Sequence, residues 1–75
     1  SYIDHRLARE AQILEAMQAG EDTVERMVER IYVDTPRALH PAAGQSVLSH
    51  LLKLEAEKRA SRAVDAGGAE HWAAS

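Results

Sequence analysis

The segment that most constrains the fold is 46–57, because its apolar residues repeat with helical spacing. Three of them fall at i, i+4 and i+7 on one side of an α-helix: Val47, Leu51 and Leu54. Polar residues lie on another side and are expected to face water: Ser49, Lys53 and Glu57. The pattern fits one helix of a small bundle, and it also fits the second helix of a helix-turn-helix, which keeps one face free for a partner.

Length and composition indicate one small domain. The chain has 75 residues, 45% of them apolar, and a net charge of −3. It has no cysteine, which excludes disulfides and thiolate metal sites. No apolar run approaches the roughly 20 residues of a membrane span, so a cytoplasmic location without membrane contact is expected. The net negative charge is unusual for an independent nucleic-acid-binding domain, because such a domain gains most of its affinity from contacts between its basic residues and phosphates.

A first helix is predicted at about 3–19. An apolar stripe recurs every three or four positions and is expected to face the core: Ile3, Leu7, Ala11, Leu14 and Met17, widened by Ile13. Arg6 and Glu10 are placed to form an i, i+4 pair. Gly20 is suited to ending the helix, because glycine adopts the left-handed conformation without a Cβ clash.

Two further helices follow. The second is predicted at about 24–32, with Thr23 as its cap and an apolar face of four residues: Val24, Met27, Val28 and Ile31. Thr35 and Pro36 predict the start of a new helical segment, in which Thr35 is the cap and Pro36 is the first helical residue. A short helical turn is expected from there to His40. The third helix is predicted at about 41–58, because Pro41 is tolerated only in a first turn.

The end of the chain predicts a β-hairpin. Weak strand patterns at about 60–64 and 70–73 flank the turn signal Asp65-Ala66-Gly67-Gly68. Alanine has poor β-propensity, so the turn and the context carry this prediction. Three helices followed by a short hairpin, or wing, make a mainly α fold of the winged helix-turn-helix class.

A family resemblance rests on a motif near the start of the chain, Tyr2-Ile3-x-His5-Arg6-x-x-Arg9-Glu10-x-Gln12-Ile13-Leu14. This motif resembles the opening of the winged-helix domain at the C-terminus of lactamase-beta-like hydrolases, metallo-β-lactamase-fold proteins that include endoribonucleases. The similarity continues through Ile31-Tyr32, Thr35-Pro36, Leu39-His40, Ala43 and His50-Leu51-x-Lys53-Leu54-Glu55, and ends at Trp72. Lys58 departs from the family, which has glycine there, so it must adopt a left-handed conformation or the helix must end differently.

The resemblance implies an accessory domain. Chain 1–75 would be a single winged-helix domain, a fragment of a longer protein whose catalytic domain lies upstream. That domain would hold two zinc ions and hydrolyse esters, whereas the fragment itself would be catalytically inert. It would pack on the catalytic domain and shape or contact the substrate cleft. The alternative is a free-standing winged-helix regulator that binds nucleic acid, and a third interpretation makes helix 3 a dimer surface.

Candidate site residues fall into two sets, and neither is catalytic or metal-binding. The four histidines show no metal-ligand spacing; His50 is expected to be partly buried, His40 to lie in the turn before Pro41, and His71 to be exposed. By resemblance and position, four residues would face the upstream domain or its substrate: Tyr2, His5, Arg6 and Arg9. The alternative for these four is an exposed first helical turn.

The second set would contact RNA or DNA, since polar residues reach base edges and cations hold the backbone. Its members are Arg37, Gln45, Ser49, Lys53, Arg59 and Arg62.

Four apolar residues are candidates for the core: Tyr2, Leu48, Leu52 and Trp72. Leu48 and Leu52 would instead mark a protein-facing patch if they were exposed.

Overall fold

Three helices and a two-stranded hairpin pack around one apolar core in the computed structural model, which describes residues 2–75. The elements are, in order, α1 (Tyr2–Gln18), α2 (Val24–Ile31), a 3₁₀ turn (Arg37–Leu39), α3 (His40–Ala56), β1 (Ala60–Val64) and β2 (Glu70–Ala74). The predicted winged helix-turn-helix is confirmed, with each predicted boundary within two residues of the observed one.

The core draws on every helix and on both strands. Its buried apolar residues are Ile13, Ala16, Met17, Met27, Val28, Ala43, Val47, Leu51, Leu54, Ala60 and Trp72. The predicted inner face of α3 is confirmed, because Val47, Leu51 and Leu54 are fully buried. Burial of apolar surface is the main favourable contribution to folding. Since this core is closed by residues of the chain itself, we expect the 75-residue chain to fold alone.

The predicted inner face of α1 is confirmed in the second half of the helix and wrong in the first half. Ile13 and Met17 are buried and Leu14 packs against the core. Ile3 and Leu7 are 67% and 58% exposed, and Ala11 is exposed as well. The buried positions also include Glu10, at i, i+3 from Ile13, and Ala16. The helix therefore turns the first part of its apolar stripe towards solvent and a carboxylate inwards. Tyr2, a core candidate, is 75% exposed.

The predicted side-chain cap is confirmed at α2 but not at the short turn before α3. Thr23 caps α2, because its hydroxyl accepts a hydrogen bond from the Arg26 N–H at 3.2 Å. The 3₁₀ turn has Pro36 rather than Thr35 at its cap position and no side-chain cap, so the predicted threonine cap is wrong. His40 is the first residue of α3 rather than part of the preceding turn, and its Nε2 atom lies 3.1 Å from the Thr35 carbonyl oxygen.

The wing is an antiparallel hairpin whose turn is organised by Asp65. The strands pair from Ala60 opposite Ala74 to Val64 opposite Glu70. The Asp65 Oδ1 atom accepts hydrogen bonds from the Gly67 and Ala69 N–H groups at 2.9 and 3.0 Å, a local bonding pattern that favours turns. The alanine-rich strands thus depend on the turn and on Trp72, which is buried and lies opposite Arg62 in the middle of the hairpin.

Lys58 adopts the left-handed conformation at the end of α3, with φ of 61°. The Arg59 N–H donates to the Leu54 carbonyl at 2.8 Å and the Lys58 N–H to the Glu55 carbonyl at 3.0 Å. These bonds satisfy helix-end carbonyls as in a glycine-terminated helix. The end of α3 therefore has the geometry of a glycine-terminated helix in spite of its lysine, and accepts backbone strain there.

Replacing Lys58 with glycine is expected to stabilise the fold. A residue with a Cβ atom is disfavoured in this conformation by about 1 kcal/mol, and a change of that size shifts the melting temperature of a domain this small by about 4–8 °C. Thermal unfolding of Lys58→Gly should show this increase. Lys58→Ala, which keeps the Cβ atom, is the matched control, and an equal increase there would assign the effect to loss of the charge.

Candidate functional site

The four residues predicted to face another domain lie together in a cleft between α1 and α3. This α1–α3 cleft has a volume of about 410 Å³. Its lining is Tyr2, His5, Arg6, Arg9, Tyr32, Ser46, Ser49 and His50. The structure thus joins the predicted interdomain or substrate-facing set to Ser49, a member of the predicted nucleic-acid set. Sequence reasoning did not assign Tyr32, Ser46 or His50 to a site.

Two arginines of the cleft are held by tyrosine rings. The Arg6 guanidinium carbon lies 5.7 Å from the centre of the Tyr2 ring, and that of Arg9 lies 4.3 Å from the centre of the Tyr32 ring. Such cation–π contacts contribute about 0.5–1 kcal/mol each at exposed sites. Arg9 also donates a hydrogen bond to the Gln12 Oε1 atom at 2.8 Å. The remaining N–H donors of each guanidinium are available to a ligand.

His50 lies at the inner side of the same cleft. The residue is only 8% exposed, as predicted for a partly buried helix residue, and its Nδ1 atom has no hydrogen-bond partner among the described residues. Burial, and then the positive charge of Arg6, lowers the pKa of His50 below its ordinary value. The ring is therefore neutral near pH 7 and acts there as a hydrogen-bonding group.

A second depression, the wing groove, lies between α2, the start of α3 and the wing. It has a volume of about 770 Å³, and its apolar lining includes Val24, Val28, Leu48 and Trp72. Arg37 and Gln45, two of the candidate nucleic-acid contacts, line it together with three carboxylates, those of Glu25, Glu29 and Glu70. Leu48 and Leu52 are 37% and 44% exposed, as the predicted protein-facing patch requires.

Two other candidate nucleic-acid contacts are bonded to a buried carboxylate. Glu10 is 5% exposed, and its oxygens accept hydrogen bonds from Lys53 Nζ and Arg59 Nη1, each at 2.8 Å. The hydrogen bond from Lys53 and the charges of both cations lower the pKa of Glu10, against the opposing effect of burial. Lys53 and Arg59, rather than the predicted Arg6, are therefore the ionic partners of Glu10, and Lys53 does not simply face water.

Arg62 is also held within the chain. It bonds Glu55 and Glu70, each at 3.0 Å, and its guanidinium lies over the ring of Trp72 at 5.1 Å. Together with Lys53 and Arg59, this gives three of the six candidate nucleic-acid contacts carboxylate partners within the chain. The nucleic-acid assignment stays a prediction, and internal pairing reduces the positive charge that phosphates would meet.

Removing the charge of Glu10 should destabilise the fold. Glu10→Gln leaves Lys53 and Arg59 without their shared carboxylate, and we expect a loss of about 1–2 kcal/mol in the free energy of unfolding at pH 7. Because the pKa of Glu10 is lowered in the folded state, this contribution is present above its unfolded pKa and disappears as the pH falls through the folded one. Urea unfolding at pH 7 and at acid pH measures both effects.

Glu57→Gln is the matched control for that experiment. Glu57 contacts the same two cations, at 3.4 Å from Lys53 and 3.5 Å from Arg59, but its side chain is 40% exposed. An exposed pair contributes about 0–1 kcal/mol, so this variant should lose little stability. Equal losses in the two variants would contradict a special role for the buried carboxylate.

His71 joins the wing to the loop between α1 and α2. Its Nδ1 atom lies 2.9 Å from Asp22 Oδ2 and its Nε2 atom 2.8 Å from Asp65 Oδ2. The Trp72 N–H also donates to the Asp22 carbonyl at 2.7 Å. The hydrogen bonds to Asp65 and Asp22 raise the pKa of His71. His71, which was expected to be exposed, is half-buried, with 37% of its side chain exposed, and lies between two carboxylates.

The His71 contacts should make stability depend on pH near neutrality. Both ring nitrogens donate only in the protonated ring, and its pKa is raised in the folded state. The stabilisation is therefore complete below the unfolded pKa, about 6.5, and is lost as the pH rises through the higher folded value. The melting temperature should fall over this range in the wild type and in a His5→Gln control. The fall should be absent in His71→Gln, and its persistence there would contradict the assignment.

The described residues contain neither a metal-binding cluster nor a membrane-spanning helix. Within residues 2–75, no three histidine, aspartate or glutamate side chains are arranged to hold a metal ion. Over the same range, no helix combines the length and the apolar character that crossing a bilayer requires.

Comparison with known families supplies the context for these surfaces. Residues 23–72 match the family model described as the β-lactamase associated winged helix domain. The matched region contains α2, α3 and nearly all of the wing. The chain belongs to this family. Its match to the family model and the observed arrangement of helices and hairpin agree on a β-lactamase associated winged helix domain.

A relative extends the match into α1. The winged helix domain is 42% identical over 69 residues to a β-lactamase-like protein 2 homolog of Drosophila melanogaster. The alignment covers 85% of this chain and 24% of that protein. The chain thus spans about a quarter of the length of the relative that it matches.

Some of the residues that sequence reasoning missed in the winged helix domain could have been found from their helical spacing, and others could not. Ser46, Ser49 and His50 share one side of α3 by their i, i+3 and i+4 spacing, so their helical positions could have grouped them. Tyr32 follows α2 and reaches Arg9 only through the packing of α1 against α2. The contacts of His71 with Asp22 and Asp65 likewise join residues that are distant in sequence, and no local pattern signals them.

Proposed function

We propose that this winged helix domain is an accessory part of a longer β-lactamase-like protein and packs on its catalytic domain through α1. The contact surface is the outer stripe of α1, defined as Ile3, Leu7 and Ala11. The α1–α3 cleft would lie at the margin of the contact and help to shape or contact the substrate cleft. In this proposal the winged helix domain binds and positions, and the chemistry belongs to the other domain.

The observation that carries the proposal is the exposure of the outer stripe. Every residue from 2 to 8 is exposed, although this segment forms the first half of α1. Helices of globular proteins gain most of their stability from tertiary packing of an apolar face. Ile3 and Leu7 provide such a face at i, i+4 without a packing partner in the core. A second domain packed there would bury them.

The proposed neighbour is a β-lactamase-like domain. The family description associates the winged helix with β-lactamase-like proteins, and three quarters of the Drosophila relative lies outside the match. By resemblance, the neighbouring domain would bind two zinc ions and use them to activate water for ester hydrolysis. No residue of the winged helix domain is assigned to the metals.

A free-standing nucleic-acid-binding domain is the rival function. It would use α3 and the wing, where Arg37 and Gln45 line the wing groove. The carboxylates of Glu25, Glu29 and Glu70 line the same groove and oppose phosphate binding. The unpartnered outer stripe therefore supports the accessory function better than these residues support the rival.

Hydrogen exchange in two contexts tests the proposal. The backbone amides of residues 3–9 should exchange rapidly in the 75-residue chain, because their side chains are exposed. The same amides should be protected in the longer protein that contains the catalytic domain. Leu7→Glu should return the amides in the longer protein to rapid exchange, because it places a charge in an apolar contact.

Val64→Glu is the matched control, since Val64 is 63% exposed on the wing and lies outside the proposed contact. This variant should leave the protection of residues 3–9 in the longer protein unchanged. Rapid exchange of residues 3–9 in the wild-type longer protein would reject packing through α1. So would equal loss of protection in the two variants.

A further inference from the structure

We propose that the α1–α3 cleft is a binding site for a phosphate group, either free phosphate or a phosphomonoester. The cleft is formed entirely by residues of this chain, and the outer stripe of α1 uses different side chains. The site therefore does not depend on the domain packing proposed above, and it can be tested on the chain itself.

The first argument is the excess of positive charge. Arg6 and Arg9 line the cleft, and none of its lining residues is acidic. The nearest buried carboxylate, that of Glu10, is bonded to Lys53 and Arg59. The two guanidinium groups have no acidic partner in the lining and repel each other. An anion bound between them would be attracted to both.

The second argument is that the arginines are positioned before any ligand arrives. Arg6 lies over Tyr2 and Arg9 over Tyr32, which restricts two long side chains that would otherwise lose conformational freedom on binding. A planar guanidinium offers pairs of parallel N–H donors that match oxyanion geometry. Two guanidinium groups in one cleft suit a ligand with several oxygens.

The third argument is the polar lining contributed by α3. Ser46 and Ser49 are exposed hydroxyl residues on the side of α3 that meets the cleft. His50 is more than nine-tenths buried there and its Nδ1 atom has no partner among the described residues. Buried polar atoms are nearly always hydrogen-bonded in folded proteins. The Nδ1 atom itself is closed to solvent, so the α3 groups that this side of the cleft offers to a bound anion are the two serine hydroxyls, which can donate to its oxygens.

These features favour phosphate over a carboxylate. A phosphate dianion balances the charge of two arginines and presents three or more oxygens to donors on both helices. A single carboxylate carries one charge and two oxygens, and one guanidinium satisfies it. The cleft volume of about 410 Å³ accommodates a phosphate group together with part of the molecule that bears it.

Titration followed by nuclear magnetic resonance tests the site on the 75-residue chain. Inorganic phosphate and a nucleoside 5′-monophosphate are added separately at constant ionic strength, and acetate serves as the carboxylate comparison. Phosphate should shift the ring signals of His50 and the amide signals of Arg9 and Ser49 in a saturable manner. Stronger binding of the monophosphate would identify the phosphomonoester as the ligand, and equal binding would identify the phosphate group alone.

The double variant Arg6→Gln, Arg9→Gln should weaken phosphate binding about tenfold or more, because it removes both charged donors. The matched control is Arg26→Gln, Arg30→Gln, which removes the same charge from exposed positions on α2 and should bind as the wild type does. Arg6, Arg26 and Arg30 are exposed and Arg9 is half-buried, and the near-ultraviolet spectrum of the buried Trp72 verifies that each variant is folded.

Three results would overturn the proposal. One is an absence of saturable shifts with either phosphate compound. Another is an equal loss of affinity in the two double variants, which would indicate attraction by net charge alone. The third is binding of acetate as strong as that of phosphate, which would assign the cleft to carboxylates.

Discussion

The pairing of one buried carboxylate with two cations determines how α1 sits in this domain. Glu10 is 5% exposed and is bonded by Lys53 from α3 and by Arg59 from the start of the wing. A carboxylate removed from water is costly unless it is compensated by charge and hydrogen bonds. The contact therefore requires α1, α3 and the base of the wing to be placed together.

That requirement accounts for the two features in which the domain departs from a simple amphipathic bundle. Glu10, Ile13 and Met17 are directed inwards, whereas residues 2–8 are all exposed. Ile3 lies two turns before Glu10 on nearly the same side of the helix, so its exposure means that the core does not extend to the first turns of α1. The same contact occupies Lys53 and Arg59, which removes them from the surface charge that a nucleic-acid-binding winged helix would use. The domain consequently offers an apolar helix face and a basic cleft on α1, while α3 and the wing are largely neutralised by carboxylates.

The two surfaces of α1 differ in their chemistry and are separable in experiment. The outer stripe is apolar and unpartnered, which suits packing against another domain. The α1–α3 cleft combines Arg6 and Arg9 with hydroxyl groups and a buried imidazole, which suits an oxyanion. Both lie in the first half of α1, where the chain leaves its own core.

Local patterns predicted most of the elements because their causes are local. Thr23 caps α2 through its own hydroxyl, Gly20 with φ of 97° ends α1, and the turn of the wing is built by Asp65 and its neighbours. The inner face of α3 was clear because Val47, Leu51 and Leu54 form its one regular fully buried repeat. On α1, by contrast, one apolar stripe runs from Ile3 to Met17 and only its second half is buried; periodicity does not tell how far along a helix the core extends.

The sequence by itself determined the order of helices and hairpin, the ends of the helices and the family to which the chain is similar. It did so because helical period, capping and turn chemistry depend on residues close together in the chain. Only the tertiary structure decided how much of the apolar stripe of α1 is buried, which cations are already paired and which side chains share a cleft. Those outcomes depend on contacts such as Glu10 with Arg59 and His71 with Asp22, which join residues 49 positions apart, and a buried charge is stabilised only by the partners that folding brings to it.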